Sequence, residues 1–168
     1  MADTFTTNYG LTKPEPGTQG WDAKLNSNMD QIDSLIAALF AAMVGGVGSS
    51  FVSATTVSYT DFNGAKVPQP TLNNETQSLC AYSGTLQKFR VKAGNNSMDG
   101  VTTVKLYKNG LATGIQVAIP AGSTTLVTDA VNVLAVNSGD TLTIVADATA
   151  STTGVINSAS WSVEINRV

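Results

Sequence analysis

The chain has 168 residues, of which 42% are hydrophobic and only 12% charged, with a net charge of −3. That length suffices for one ordinary domain, or a small domain with an appendage, and the acidic balance excludes a general binder of phosphate backbones. With no histidine and one cysteine, the chain cannot build a His-based triad, a His metal site, a near-neutral proton shuttle or an intrachain disulfide. The charged fraction is about half that of an average soluble protein. Two readings fit so low a charge: much surface covered by partners, or a Thr/Ser/Asn-rich β domain kept soluble by uncharged polar groups.

Residues 1–20 read as an extended arm. Pro14 and Pro16 forbid a regular helix and bias the residues before them to extended geometry. The start, Met1-Ala2-Asp3-Thr4-Phe5, lacks the basic residues and apolar run of a signal peptide. A helix is expected over about 20–44, with Thr18 as N-cap and Asp22 favourably placed in the early turns. Its apolar residues Leu25, Met29, Ile32, Ile36, Leu39 and Met43 step by 4, 3, 4, 3 and 4. That is a coiled-coil seam, with Leu25, Ile32 and Leu39 at d and Met29, Ile36 and Met43 at a. A lone helix cannot bury such a seam, so these six residues are the expected oligomerisation surface. The longest apolar run, Leu35 to Val44, is too short to span a bilayer. The whole chain therefore reads as a non-membrane protein made in the cytoplasm.

Gly45-Gly46-Val47-Gly48-Ser49-Ser50 reads as a flexible hinge by composition. Beyond it the chain reads as β, with strands expected at about 51–59, 77–82, 86–93, 101–108, 111–119, 124–135, 141–147 and 155–166. Asn109-Gly110 is a strong hairpin signal, because a type I′ turn needs positive φ at both central residues. Ala159, Trp161, Val163 and Ile165 alternate with Ser160, Ser162, Glu164 and Asn166, one buried and one polar face of a strand. About eight short strands fit an antiparallel two-sheet sandwich, with a jelly roll as the leading topology. The expected organisation is an arm (1–20), an oligomerisation helix with a Gly-rich hinge (21–50) and a β-sandwich (51–168).

Two segments carry resemblances. The run Asn8-Tyr9-Gly10-Leu11-Thr12-Lys13-Pro14-Glu15-Pro16-Gly17-Thr18, followed by Trp21-Asp22 and Asn26-Ser27-Asn28-Met29-Asp30-Gln31-Ile32-Asp33, resembles the N-terminal attachment segment of tailed-phage fibre and virion-surface proteins. The resemblance implies that Tyr9, Leu11, Lys13, Pro14, Pro16 and Trp21 contact the virion. Phe89-Arg90-Val91, Val104-Lys105-Leu106-Tyr107-Lys108-Asn109-Gly110, Val117-Ala118-Ile119-Pro120-Ala121-Gly122, Val136-Asn137-Ser138-Gly139-Asp140 and Ser160-Trp161-Ser162-Val163-Glu164-Ile165 look like β-sandwich modules of phage and viral surface proteins. Those modules are jelly-roll or tumour-necrosis-factor-like and commonly trimeric, so the trimer is implied by resemblance alone.

Other candidates read more plainly. Leu79 and Ala81 flank Cys80, which reads as a small buried hydrophobe rather than a reactive thiol. Asp30 and Asp33 read as a solvated helix face, and Asp140 as a turn cap rather than a calcium ligand, since the dense oxygen spacing of a calcium loop is missing. Lys88, Arg90 and Lys92 share one strand face, expected to be solvated. Trp161 and Tyr107 could stack on sugars but read as core. No nucleophile with its base is evident, and a glycosidase would need two acids gathered by the fold.

The resulting expectation is a non-enzymatic, homotrimeric decoration (cement or head-fibre) protein of a phage virion surface. Its partners would be its own copies and the major capsid protein or another virion protein. No cofactor, metal, nucleic acid or membrane is expected. The alternative is a short tail fibre or receptor-binding protein that grips a host surface glycan.

Overall fold

Nineteen residues, Trp21–Leu39, form helix α1 of the computed structural model, which describes residues 4–5, 12–13, 20–39, 43–64 and 68–167. The chain divides into two compact units, Met1–Phe40 and Ala41–Val168. In the first, α1 is preceded by two-residue strands β1 (Thr4–Phe5) and β2 (Thr12–Lys13), which pair antiparallel. The helix opens with the amide of Lys24 donating to the carbonyl of Gly20.

The spacing predicts a helix reaching about residue 44; α1 is described as far as Leu39, and Met43 is no part of its seam. Met43–Ser53 is strand β3 instead. The segment read as a hinge is therefore a strand: β3 pairs antiparallel with β12 (Val155–Arg167), from Val155 opposite Ser53 to Glu164 opposite Met43. The backbone groups of these residues go into that ladder, a long-range pairing that no local propensity announces. Gly46 stands opposite Trp161. A Cβ there would come within 2.4 Å of the Asn63 carbonyl carbon, so glycine is what lets the two backbones meet.

The remaining strands are β4 (Val57–Asp61), β5 (Ser78–Leu79), β6 (Gly84–Asn96), β7 (Thr102–Lys108), β8 (Leu111–Ile119), β9 (Val127–Asp129), β10 (Leu134–Val136) and β11 (Thr141–Asp147). They form two antiparallel sheets. One runs β10-β6-β12-β3, with β9 also on β6. The other runs β4-β11-β7-β8, with β5 also on β11. The chain crosses between sheets after β3, β5, β6, β8, β10 and β11. Asn109 (φ 52°) and Gly110 (φ 78°) turn β7 into β8, as the hairpin signal required.

One apolar core joins both sheets. Phe51, Phe89, Val91, Ile156 and Trp161 from the first meet Leu106, Ile115, Ile119 and Ile144 from the second. Ala159, Trp161, Val163 and Ile165 are buried and their polar alternates are not, as the spacing predicted. Trp161 stacks on Phe51 with ring centroids 5.6 Å apart, and its Nε1 donates to the Phe62 carbonyl at 2.6 Å. This is a mainly β protein with one α-helix among the described residues and an antiparallel two-sheet sandwich.

Candidate functional site

The described residues hold no compact catalytic constellation, and the features that could bind a partner lie on the helix and on the sheet surfaces. On α1, Leu25 and Met29 are 58% and 52% exposed, and Ile32 is half-buried. Residues spaced by four and three lie one above another on a helix, so these three form a single apolar stripe. Ile36 and Leu39 continue the spacing on the same helix, with their side chains outside the described residues. Of the six expected seam residues, five lie on α1 and Met43 does not.

The arm residues Tyr9, Leu11, Pro14 and Pro16 lie outside the described residues. Lys13 belongs to β2, opposite Thr4, and Trp21 is the first residue of α1.

The cationic strand face has a partner that sequence spacing concealed. Lys88 Nζ and Arg90 Nη2 each lie 2.9 Å from the Glu164 carboxylate. The register makes this possible: Gln87 stands opposite Glu164 and Arg90 opposite Ser162, so β6 carries an extra residue there. Lys88 occupies that bulge with φ 52°. An αL residue at a bulge re-aims the neighbouring side chains, and both cations converge on one carboxylate. Hydrogen bonds from Lys88 and then Arg90 hold the Glu164 carboxyl below its ordinary range.

Four other carboxylates, Asp99, Asp129, Asp140 and Asp147, cap turns. Asp140 accepts from the amide of Asn137 at 2.8 Å and from Asn109 Nδ2 at 2.7 Å, which pull its pKa down, so it serves as a turn cap. Asp99 receives the Thr152 hydroxyl and the amides of Thr152 and Thr153, which lower it to about 2. Asp147 is lowered chiefly by Thr149. Burial pushes Asp129 up, but hydrogen bonds from Asn132, Gln116 and Val131 outweigh it and the net shift is downward. A general acid needs a raised pKa, and these five carboxyls are all held the other way.

Trp161 is core, 4% exposed, as expected, and is not available for sugar stacking. Tyr107 is not core. Cα register places it beside Thr143, and Tyr59 beside Val145, on the two strands flanking β11. Their rings meet edge-on with centroids 6.4 Å apart, arching over β11 and burying Thr143 and Val145 on its outer side. Lys105, from the same face, pairs with Asp147 at 3.4 Å. This aromatic and charged face could take a polar ring-shaped ligand.

At one end of the sandwich an apolar cavity of about 270 Å³ opens between Phe62, Leu142 and Val163, with Cys80 on its wall. Leu79 and Tyr82 stand at its lip, 75% and 55% exposed. Cys80 is half-buried and packs on the core. Burial and then Asp140 push its thiol pKa up, against Lys108, so it is a poor nucleophile at neutral pH. Among the described residues, no three His, Cys, Asp or Glu side chains are placed to hold a metal, and no helix is long and apolar enough to cross a membrane.

No family model and no curated protein matches the sequence. Among solved structures, the chain is similar to a GH26-CBM35 β-(1,4)-mannanase of Podospora anserina, at 15% identity and a TM-score of 0.35, over 73% of this chain and 25% of that one. It is also similar to a cycloisomaltooligosaccharide glucanotransferase of a Paenibacillus species, at 11% identity and a TM-score of 0.33, over 85% of this chain and 22% of that one. A third is dimeric latent PorU of Porphyromonas gingivalis, at 16% identity and a TM-score of 0.33, over 74% of this chain and 11% of that one. The chain thus spans a quarter or less of the length of each.

Proposed function

We propose that the chain is a structural protein of a tailed-phage virion surface, a homotrimer that decorates and stabilises the capsid exterior. In this reading the arm lies on the virion, the helices associate in a bundle, and the β domains face outward. The observation that carries it is the apolar stripe of α1: Leu25 and Met29 are more than half exposed on a helix that continues the same spacing through Ile36 and Leu39. Each Leu, Ile or Met fully buried by a partner contributes about 1.5–3 kcal/mol, so five such residues per chain are ample for assembly. The strand orders β3-β12-β6-β9/β10 and β4-β11-β7-β8 are compatible with a jelly roll, an architecture found in viral capsid domains, and this lends support to the same reading. The lowered carboxyls and the raised Cys80 thiol support a binding role over catalysis. Locating the protein by labelled electron microscopy tests the proposal: label on the head agrees with it, and label confined to the tail overturns it.

A second reading rests on the outer face of the β4-β11-β7-β8 sheet. Tyr59 and Tyr107, next to the Lys105–Asp147 pair, form a surface on which a host glycan could stack and hydrogen-bond. A short tail fibre or receptor-binding protein would use such a face. Loss of adsorption on replacing both tyrosines by alanine would favour it over decoration.

A further inference from the structure

Arg90 and Lys92 lie on the outer side of their sheet, alternating with the buried Val91 and Ala93 of β6. Their cross-strand neighbours are uncharged. Arg90 stands between Ser162 of β12 and Thr128 of β9, and Lys92 stands opposite Ser160 of β12. The ion pairs of this face converge on Glu164, which Arg90 shares with Lys88. Three cations against one carboxylate leave an excess of two positive charges here, on a chain whose net charge is −3. Lys92 is exposed, and no described residue forms an ion pair with it.

The surface beside these cations is concave. Arg90, Leu126, Ser160 and Ser162 line a groove of about 200 Å³, with Lys92 next to it across from Ser160. Arg90 donates from Nη2 to Glu164 at 2.9 Å. That bond fixes the guanidinium and leaves its other N–H groups for a ligand. Among the described residues, the hydroxyls of Ser160 and Ser162 have no hydrogen-bond partner. Leu126, 58% exposed, adds an apolar wall. The groove thus offers two cations, two hydroxyls and one hydrocarbon surface.

We propose that this groove binds an acidic sugar, a pyranose carrying a carboxylate, sulfate or phosphate group, with the anion seated at Arg90 and Lys92. Guanidinium and ammonium groups together favour an oxyanion. The serine hydroxyls match ring hydroxyls, and Leu126 matches the C–H face of the ring. A nucleic acid is opposed by the net negative charge of the chain. An acidic peptide would find no backbone partner, because the main chain of β6 and β12 is committed to ladders on both sides. The groove is on the opposite sheet from Tyr59 and Tyr107, and it stands apart from both readings above.

The test titrates the full-length chain by calorimetry at low salt. The ligands are oligogalacturonate, glucose 6-sulfate and glucose 6-phosphate, each against its uncharged parent, the methyl-esterified oligomer or glucose. At least one charged sugar should bind saturably while its parent does not, and the one that binds identifies the anion. Lys92→Gln and Arg90→Gln should each weaken binding about tenfold or more. Ser160→Ala, which changes no charge, should weaken it too. Lys88→Gln takes the same charge from the face but nothing from the groove, and should change affinity little. Tyr59→Ala/Tyr107→Ala should bind as the wild type does, so failure of the glycan reading at that other face looks different. Circular dichroism and thermal melting establish that each variant keeps its sandwich. Four results would each overturn the proposal: no charged sugar binds, charged and uncharged sugars bind alike, Lys88→Gln weakens binding as much as Lys92→Gln, or polyglutamate binds as tightly as the best sugar.

Discussion

Trp161 and Phe62, 99 residues apart, are joined by an indole N–H donating to a backbone carbonyl at 2.6 Å. The bond ties the middle of β12 to the turn after β4, so one side chain fastens the two sheets at the place where Gly46 also meets Asn63. Trp161→Phe keeps most of the apolar volume but leaves the Phe62 carbonyl without its donor. It should cost about 1–3 kcal/mol. Trp161→Ala adds a cavity and should cost about 3–5 kcal/mol. Chemical denaturation of both variants checks the order, and a Trp161→Phe loss near zero would show that the hydrogen bond contributes nothing beyond packing.

The carboxylates make the sandwich acid-sensitive. Asp99, Asp129, Asp140, Asp147 and Glu164 all have folded-state pKa values below their ordinary ones. The unfolded chain therefore binds more protons in the interval between the two values, and stability falls as pH drops through it. For Asp99 the interval runs from 3.8 down to about 2. The melting temperature should be level above about pH 5 and decline below it. Asp99→Asn should melt lower at neutral pH yet lose less on acidification. A variant with the wild-type slope would assign the acid sensitivity to the other four.

Much of the sandwich was legible in the sequence, because its signals are local. Asn109-Gly110 demands a type I′ turn wherever it sits between strands, and the Ala159-to-Asn166 alternation announces a half-buried strand. What escaped depends on contacts between distant residues. Glycines at 45, 46 and 48 suggest a hinge until β12 and the Asn63 backbone lie beside them. Met43 extends the heptad by coincidence of spacing. The Lys88 bulge, which gathers two cations on Glu164, is visible only once β6 and β12 are in register. Tyr107 alternates like a core residue, and only the order β4-β11-β7 shows that it and Tyr59 cover the outside of β11. Cys80 reads as a buried hydrophobe from its neighbours, and a cavity at its side leaves it half-exposed.

The helix stripe gives the sharpest test of assembly. Ile32→Asp with Ile36→Asp would bury charges without partners in any bundle. Light scattering should show the native mass fall to that of whatever the β domains alone can hold. An unchanged mass would move the oligomer contact to the sandwich, where Leu79, Leu111, Val131 and Val133 are among the most exposed apolar side chains.

The arm is the expected anchor. Removing residues 1–17 takes away Tyr9, Leu11, Lys13, Pro14 and Pro16 while sparing α1 and the sandwich. The truncated protein should stay soluble and keep its oligomeric mass, yet fail to bind virions stripped of the native protein. Co-sedimentation with such particles is the measurement, and decoration by the truncated form would place attachment elsewhere.

Decoration and receptor binding part company in what the particle loses. A decoration protein binds the assembled shell better than its separated subunits, and so stabilises the shell by mass action. A symmetric oligomer spanning several capsid subunits adds to this through effective concentration. Particles lacking the protein should release DNA at a lower temperature, or under milder osmotic stress, with adsorption to host cells little changed. Adding purified protein back should restore the release temperature in proportion to sites filled. The glycan-binding reading demands the reverse: intact particle stability, lost adsorption, and the same adsorption defect in Tyr59→Ala/Tyr107→Ala. The stripe of Leu25, Met29 and Ile32 is common to both, so a helix variant cannot separate them. The tyrosine variant can, because a decoration protein lacking that aromatic face would still protect the shell.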